Sequence, residues 1–259
     1  MSVIDMSAGS KFSPSARLVL NRHRSLMVQP VLIVGLSLIL WWYLSHSTLD
    51  IIEAVTINRA FIQQAVIDHL VLSFAAAFII LGVAIPGGIL LSREGAKRFT
   101  PAVLIAANIG QAFPAAGLLI LAGIQFGFGK PIAIFSFAAF GVLPILRNTI
   151  VGLQEIDPFI VESALGMGMT KRQALRQIEL PLAVPVILAG IRTTLILTVG
   201  VATLGVFVNG GGLGTLIIPG LKLNRDLVLL TGGVLTVIVA FTLDWLARVA
   251  EELLRPRGI

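Results

Sequence analysis

Cysteine is absent from this chain of 259 residues, and charged residues are scarce. Without cysteine, the protein has no disulfide, no thiol nucleophile and no thiolate metal ligand. The three histidines, His23, His46 and His69, are too widely separated to predict a metal cluster. Only 12% of the residues are charged, whereas soluble domains carry about a quarter. With 56% hydrophobic residues, the composition indicates a protein that crosses a membrane several times.

A nucleotide-binding loop is also missing. Such a loop needs a glycine-rich turn followed by G-K-[ST]. The glycine-rich run at 123–129 leads into Lys130-Pro131 and predicts a tight outer turn instead. A second run at 209–214 lacks the surrounding βαβ unit of a dinucleotide fingerprint, and we interpret it as a flexible outer loop or gate. The chain is therefore not expected to be an enzyme or to hydrolyse ATP by itself.

Six apolar stretches each meet the length of about 20 residues that a bilayer core requires. They lie at 28–45, 66–91, 101–123, 131–150, 184–208 and 227–250. The sequence thus predicts an all-α integral membrane protein with about six transmembrane helices. The basic N-terminus resembles a signal peptide, but no small-residue cleavage site follows, so the first stretch is interpreted as an uncleaved helix.

These stretches divide the chain into four predicted segments. They are an N-terminal tail at 1–27, a first transmembrane helix with an outer segment at 28–65, a core at 66–254 and a C-terminal tail at 255–259. Within the core, Pro and Gly at 85–88 predict either a kink beside a translocation pathway or close packing through small residues.

Lysine and arginine fall mainly on one side of the predicted membrane. Six spans place both termini on the same side, together with the loops at 92–100 and 147–181. These regions hold 14 of the 19 basic residues, the opposite side holds four, and Arg192 lies within a span. Because short loops rich in Lys and Arg remain in the cytoplasm, both termini and the 147–181 loop are expected there.

The loop contains a polar stretch, 161–181, between long apolar segments. It predicts two short helices with a glycine-containing break around Gly168. Thr170 is placed to cap the second helix, at 171–178, and Pro181 to end it. A polar helical pair between membrane spans favours docking to a soluble partner.

The spacing within this stretch resembles a known signature. Glu162-Ser163-Ala164, three residues, Gly168, nine residues and Ile178-Glu179-Leu180-Pro181 resemble the E-A-A-x3-G-x9-I-x-L-P pattern of permease subunits of binding-protein-dependent ABC importers. Ser163 replaces the first alanine, which is a change between small residues. The runs at 179–192 and 211–214 resemble the osmoprotectant branch of these permeases, which handles glycine betaine, carnitine and choline.

The resemblance implies a type I ABC importer permease fold in the inner membrane of a bacterium. Cytoplasmic coupling helices are expected at about 152–180, between spans four and five. The implied partners are a pair of cytoplasmic ATPase subunits, a second permease subunit, an extracytoplasmic binding protein and the lipid bilayer, with no nucleic acid. ATP and Mg would be held by the ATPase, so no cofactor is expected in this chain.

The residues expected to couple to the ATPase lie within the signature loop. They are Glu162, Ser163, Ala164, Gly168, Met169, Thr170 and Lys171. The small residues are expected to let the helices sit in a cleft of the ATPase. Glu162 is expected to organise the loop by pairing with a nearby base or by capping N–H groups.

Candidate pathway residues are Asn108, Gln111, Phe113 and Arg192. The two amides interrupt an otherwise apolar span, so they are expected to face a cavity or to hydrogen-bond between helices. Arg192 and Asp244 are charges within spans, and we expect both to face the bundle interior and to pair with each other.

The solute is expected to be an osmoprotectant such as glycine betaine, choline or carnitine. The sequence leaves two alternatives, a permease for amino acids or another small polar solute, and a stand-alone secondary transporter. Secondary transporters commonly show internal repeats, and no clear repeat is found here. With three Trp and one Tyr, the sequence does not favour a quaternary-ammonium cage, so selectivity is expected to reside in the binding protein.

Overall fold

The computed structural model describes the backbone of residues 14–254 and the side chains of residues 27–253. Every regular element in this part of the chain is helical, which confirms the all-α prediction. The elements are α1 (Pro14–His46), α2 (Ile51–Thr56), α3 (Arg59–Leu91), α4 (Glu94–Lys97), α5 (Thr100–Ala112), α6 (Ala115–Phe126), α7 (Lys130–Gln154), α8 (Pro158–Gly166), α9 (Lys171–Ala174), a π-helical turn (Leu175–Glu179), α10 (Leu180–Ala202), a 3₁₀ turn (Thr203–Val208), α11 (Gly214–Lys222) and α12 (Asp226–Leu254).

Within the described residues, five helical segments are long and apolar enough to cross a membrane, and the bent pair α5–α6 would make a sixth. This agrees with the prediction of about six spans. α1 already begins at Pro14, so part of the predicted N-terminal tail is helical. α3 begins at Arg59 rather than at 66, because Asn58 caps it by accepting a hydrogen bond from the backbone of Phe61. The first 13 residues and the predicted tail at 255–259 lie outside the described backbone.

The predicted third span, 101–123, is not one straight helix. α5 and α6 meet at an angle of 92°, and each half alone is only about 20 Å long. Phe113 has an extended backbone with ψ of 141°, because a proline at the next position disfavours the α region. Pro114 therefore divides the span into two short helices instead of merely bending it.

The second signature helix does not end where the sequence predicted. α9 runs into a π-helical turn and then into α10 without interruption, and Pro181 lies in the first turn of α10. In the π-helical turn, the N–H of Leu180 donates to the carbonyl of Leu175, five residues back. Such a turn accommodates a proline that cannot supply the next hydrogen bond. The second coupling helix is thus continuous with a membrane span.

The core of the molecule is formed by α3, α7 and α10, with α12 packed against α10, α11 and α1. Near the C-terminal end of α3, this helix lies so close to α7 that a Cβ on Gly88 would come within 2.6 Å of Thr149. This close approach supports the small-residue interpretation of the 85–88 segment. Phe137 and Leu72 belong to an apolar cluster further towards the N-terminal end of α3.

The glycine-rich segment at 209–214 is not the flexible loop that the sequence predicted. Gly212, Leu213 and Gly214 are buried, and a Cβ on Gly214 would lie 1.8 Å from the carbonyl oxygen of Thr203. The backbone N–H of Leu213 donates to Nδ1 of the fully buried His69, at 3.3 Å. Glycine is used here for close packing of the chain against α3 and α10, so the segment is a fixed part of the fold.

Candidate functional site

We define the coupling surface as residues 157–179, which include α8, α9 and the π-helical turn. α8 begins at Pro158, and the side chain of Asp157 caps it by accepting from the N–H of Phe159 at 2.9 Å. The predicted coupling residues are mostly exposed on this surface: Glu162, Ser163, Gly168, Thr170 and Lys171 are exposed and Met169 is partly exposed. An exposed polar helical pair at one end of an apolar bundle is suited to docking another protein.

Ala164 is the exception among these residues. It is buried to 1% exposure, as is Ala174 on α9, and α8 and α9 contact each other. The small side chain at 164 therefore serves packing within the coupling surface. It does not lie at a surface that a partner could contact, contrary to the expectation for this residue.

Gly168 ends α8 through a Schellman motif. Its N–H donates to Leu165 at 3.0 Å, and the N–H of Met169 donates to Ala164 at 3.2 Å. Gly168 has a φ of +92°, which side chains with a Cβ disfavour. The glycine of the signature is thus explained locally. It allows the backbone turn that sets the angle between α8 and α9.

Thr170 caps α9 as predicted. Its N–H donates to Oε1 of Gln173 at 2.8 Å, and the N–H of Gln173 donates to Oγ1 of Thr170 at 3.3 Å. This reciprocal pair is a capping box and satisfies two donors that the helix start leaves free. The break between the two coupling helices is therefore held by the Schellman turn on one side and the capping box on the other.

Glu162 does not have the partner within the loop that the sequence predicted. Its carboxylate makes no hydrogen bond or ion pair with any side chain or backbone group of residues 27–253, and it is exposed. An exposed carboxylate retains its hydration until another molecule approaches. The charge is thus available for contact with a partner subunit.

An ion pair that the sequence reasoning missed joins this surface to the loop at 92–100. Nη1 of Arg93 lies 2.7 Å from the carboxylate of Glu179, whose side chain is only 6% exposed. A groove of about 670 Å³ lies beside the pair, lined in part by Glu94, Lys171 and Arg172. The signal was present in the sequence, since an acidic residue at a span entrance requires a partner.

The predicted pair between α10 and α12 is present. Nε of Arg192 donates to Asp244, and a second guanidinium nitrogen donates to the same carboxylate at 3.2 Å. Asp244 also accepts from Gln29 on α1 and, at 3.2 Å, from Arg248 one turn further along α12. The carboxylate therefore links three helices, and Arg192 is engaged by this cluster.

The other candidate pathway residues lie on α5 and at its break. Asn108 is exposed and donates to the backbone oxygen of Leu104 at 2.8 Å. Gln111 is partly exposed, and Phe113 is 52% exposed. Asn108 and Gln111 share one face of α5 because they are three residues apart. Arg192 donates to Asp244 instead of hydrogen-bonding to these two amides.

At the opposite end of the bundle, Nζ of Lys130 on α7 lies 2.6 Å from the carboxylate of Asp68 on α3. Asp68 also accepts from Gln64 at 2.9 Å. Among the described residues no group of three or more His, Asp or Glu is arranged to hold a metal ion. This end therefore holds an ion pair between two central helices.

Residues 84–256 match the family described as the inner membrane component of binding-protein-dependent transport systems. The chain belongs to this family. It is a multi-pass inner membrane permease, the transmembrane subunit of an ABC importer, and the coupling surface lies within the matched residues.

Three curated relatives cover most of this permease. It is 37% identical over 209 residues to a choline transport system permease protein of Bacillus subtilis, covering 81% of this chain and 95% of that one. It is 38% identical to an osmoprotectant import permease protein of Salmonella typhimurium, covering 83% and 89% of the two chains. A carnitine transport permease protein of Listeria monocytogenes is 36% identical, with coverage of 80% and 92%.

Solved structures agree with the fold. An inward-facing methionine ABC transporter matches with a TM-score of 0.67 and 24% identity, covering 77% of this permease and all of that chain. An amino acid ABC transporter matches with a TM-score of 0.59 and 22% identity, covering 80% and 100%. Both confirm the predicted type I ABC importer permease fold.

Proposed function

We propose that this permease forms the membrane pathway of an ATP-driven importer for a quaternary-ammonium osmoprotectant, such as glycine betaine, choline or carnitine. The observation that carries the solute class is the identity of 36–38% to choline, osmoprotectant and carnitine permeases over about four fifths of the chain. ATP is hydrolysed by a separate pair of ATPase subunits, and an extracytoplasmic binding protein delivers the solute. A second permease subunit completes the pathway.

The coupling surface docks the ATPase in this proposal. Glu162 carries an exposed charge, while Lys171 and Arg172 make the start of α9 basic. Two local motifs, the Schellman turn at Gly168 and the capping box at Thr170, hold the two short helices in a fixed relation. A rigid, polar, exposed helical pair can transmit a movement of its partner without being deformed by it.

The proposed solute path includes Asn108, Gln111, Phe113 and Arg192. The amides of α5 are accessible on a helix that would otherwise be wholly apolar, and polar groups at membrane depth face cavities or partners. The break between α5 and α6 exposes Phe113 beside them. Arg192 contributes through its cluster with Asp244, which holds α10 and α12 together along the path.

A charge reversal tests the coupling surface. Glu162→Lys places a like charge beside a basic helix and reverses the contact offered to the ATPase. We expect loss of the ATPase stimulation by loaded binding protein, with normal accumulation of the permease in the membrane. Glu155→Lys is the matched control, because Glu155 is exposed in the same loop outside the signature, and it should leave stimulation intact. Stimulation that survives Glu162→Lys would contradict the role of this surface.

The solute class is tested on the binding protein that delivers solute to this permease. Calorimetric titration with glycine betaine, choline and carnitine is expected to show saturable binding of at least one of them, with methionine and histidine as controls. Binding of an amino acid and of none of the three quaternary-ammonium compounds would replace the proposed solute class by the amino acid alternative.

A further inference from the structure

Glu179 is the most deeply buried acid of the coupling surface, at 5% exposure. It occupies the unspecified position between Ile178 and Leu180 of the signature and ends the π-helical turn. A buried carboxylate without a partner is strongly unfavourable, whereas a paired one is tolerated. Glu179 therefore requires a cation within reach wherever the coupling surface moves.

Arg93 is that cation and contacts two elements at once. One guanidinium nitrogen lies 2.7 Å from Glu179, and Nε donates to the backbone oxygen of Ile89 at 3.4 Å. Ile89 belongs to the last turn of α3. Arg93 thus connects the inner end of α3 with the point where the coupling helices enter the membrane span α10.

The inner end of α3 is in turn locked to α7. A Cβ on Gly88 would meet Thr149 at 2.6 Å, and Leu91 of α3 shares an apolar cluster with Ile150 of α7. Closely packed helices move together, because a packed interface resists continuous deformation. A displacement received by Arg93 therefore reaches two central helices of the bundle.

The 92–95 segment is not joined to the coupling helices by continuous apolar packing, because a groove lies between them beside the ion pair. It separates the 92–95 segment from Val161 and Leu165 of α8 and from Lys171 and Arg172 of α9. The coupling helices and the inner loop face each other across this open space. Arg93 and Glu179, which form the ion pair, both line this groove.

We propose that Arg93 and Glu179 form a strut that transmits movement of the coupling helices to α3 and α7 and stays intact throughout the transport cycle. This assigns Arg93 and Glu179 as positioning residues of the importer. The inference rests on the proposed docking of the ATPase to the coupling surface. It adds the route by which movement of the docked ATPase is transmitted to the helices of the pathway.

The test measures solute transported per ATP hydrolysed, with the permease, its ATPase and its binding protein reconstituted in proteoliposomes. Arg93→Gln and Glu179→Gln are each expected to lower this ratio by about fivefold or more, while the ATPase still co-purifies. The double variant should be no worse than either single variant, because both remove the same contact. Arg93→Lys keeps the charge and should recover most of the ratio.

Arg98→Gln is the matched control, since it removes a charge from the same loop, where Arg98 lies over the ring of Phe99. It should leave the ratio unchanged. An unchanged ratio in Arg93→Gln, or additive losses in the double variant, would overturn the strut. Failure of the docking proposal would look different, because the ATPase would then remain stimulated in Glu162→Lys.

A second measurement covers the case in which the Gln variants do not accumulate. Cysteines are placed at 93 and 179 in this chain, which has none of its own, and a short bifunctional thiol reagent joins them. The joined permease is expected to transport more solute per ATP than the unjoined one. Arrest of transport on joining would show that the contact must open, and would overturn the proposal.

Discussion

Asp244 carries the densest set of polar contacts described within the bundle, with donors from Gln29, Arg192 and Arg248. Its side chain is 7% exposed, so the cost of removing this charge from water has to be offset by those donors. Because the donors come from α1, α10 and α12, one carboxylate fixes the relative position of three helices. Arg192 depends on the same carboxylate.

Removing the carboxylate alone is expected to be costly. Asp244→Ala leaves Arg192 partly buried without its anion, and we expect a loss of about 3–5 kcal/mol in stability. The double variant Arg192→Leu/Asp244→Leu should recover much of this loss, because both charges are then absent. Thermal unfolding in detergent measures both variants.

An exposed ion pair serves as the control. Arg225 pairs with Asp50 at the surface, so Arg225→Ala should change stability by no more than about 1 kcal/mol. Equal unfolding temperatures for Asp244→Ala and the double variant would contradict the interpretation of the cluster.

The pairing of Arg192 with Asp244 was predictable, because two lone charges in apolar spans require partners. The contribution of Gln29 was not, since amides in helices carry no such requirement.

At the scale of elements, the segment from the 3₁₀ turn to α11 is held by backbone contacts that glycine allows. Gly214 is the clearest case, since a Cβ there would overlap the Thr203 carbonyl at 1.8 Å. The backbones of Gly214 and Thr203 cannot move apart freely, because the buried chain around them is closely packed. The segment therefore connects α10 to α11 as a rigid corner.

Two glycine-to-alanine substitutions distinguish the loss of close packing at Gly214 from a general effect of replacing glycine. Gly214→Ala is expected to prevent stable folding, because the methyl group has no space. Gly200→Ala on α10 meets nothing within 4 Å and should be neutral or slightly stabilising, since alanine favours helix over glycine by about 1 kcal/mol. The amount of permease recovered from membranes and its unfolding temperature report the difference. Normal recovery of Gly214→Ala would show that the corner can relax.

The helices themselves were predictable from the sequence to a useful degree, because apolar length and capping residues act locally. Thr170 starts its helix as expected. Pro114 and Pro181 show the limit of this reasoning. Pro114 breaks a span into halves at 92°, whereas Pro181 is absorbed by a π-helical turn. The residue before Pro114 is extended and the residue before Pro181 is helical, a difference that the sequence reasoning did not predict.

For the whole molecule, the distribution of charge orients the permease. The loops at 92–100 and 147–181 come together at one end of the bundle, where Arg93 meets Glu179. Asp68 and Lys130 pair at the other end. Under the positive-inside rule, the basic excess at the first end favours the cytoplasmic side for it, and we propose this orientation. The cytoplasmic side is also where an ATPase would be found.

Thiol labelling tests this orientation, because any introduced cysteine is unique in a chain that has none. Lys222→Cys, at the end of α11, is expected to react with a membrane-impermeant reagent in intact spheroplasts. Lys171→Cys, in the coupling surface, should react only after the membrane is opened; both positions are exposed. The reverse pattern would contradict the proposed topology and, with it, the docking of a cytoplasmic ATPase.

At this scale, the coupling surface shows which features a sequence signature predicts and which it does not. The pattern located the surface, and the structure supplied its mechanics: a Schellman turn at Gly168, a buried Ala164 and an ion pair outside the pattern at Glu179. Among the predicted coupling residues, we propose Glu162 and its exposed neighbours as the direct contacts for a partner. The pattern does not distinguish side chains that pack within the loop from those that face outward, because a small residue fits either place: Ala164 is buried and Ser163 is exposed.

Uptake of radiolabelled choline into proteoliposomes tests the central claim most directly. The vesicles contain this permease with its ATPase and binding protein, and ATP is enclosed or omitted. We predict uptake that requires both the ATPase and ATP and that is lost in Glu162→Lys while the complex stays assembled. Uptake by the permease alone, driven by an ion gradient and indifferent to ATP, would contradict the account and identify a secondary transporter.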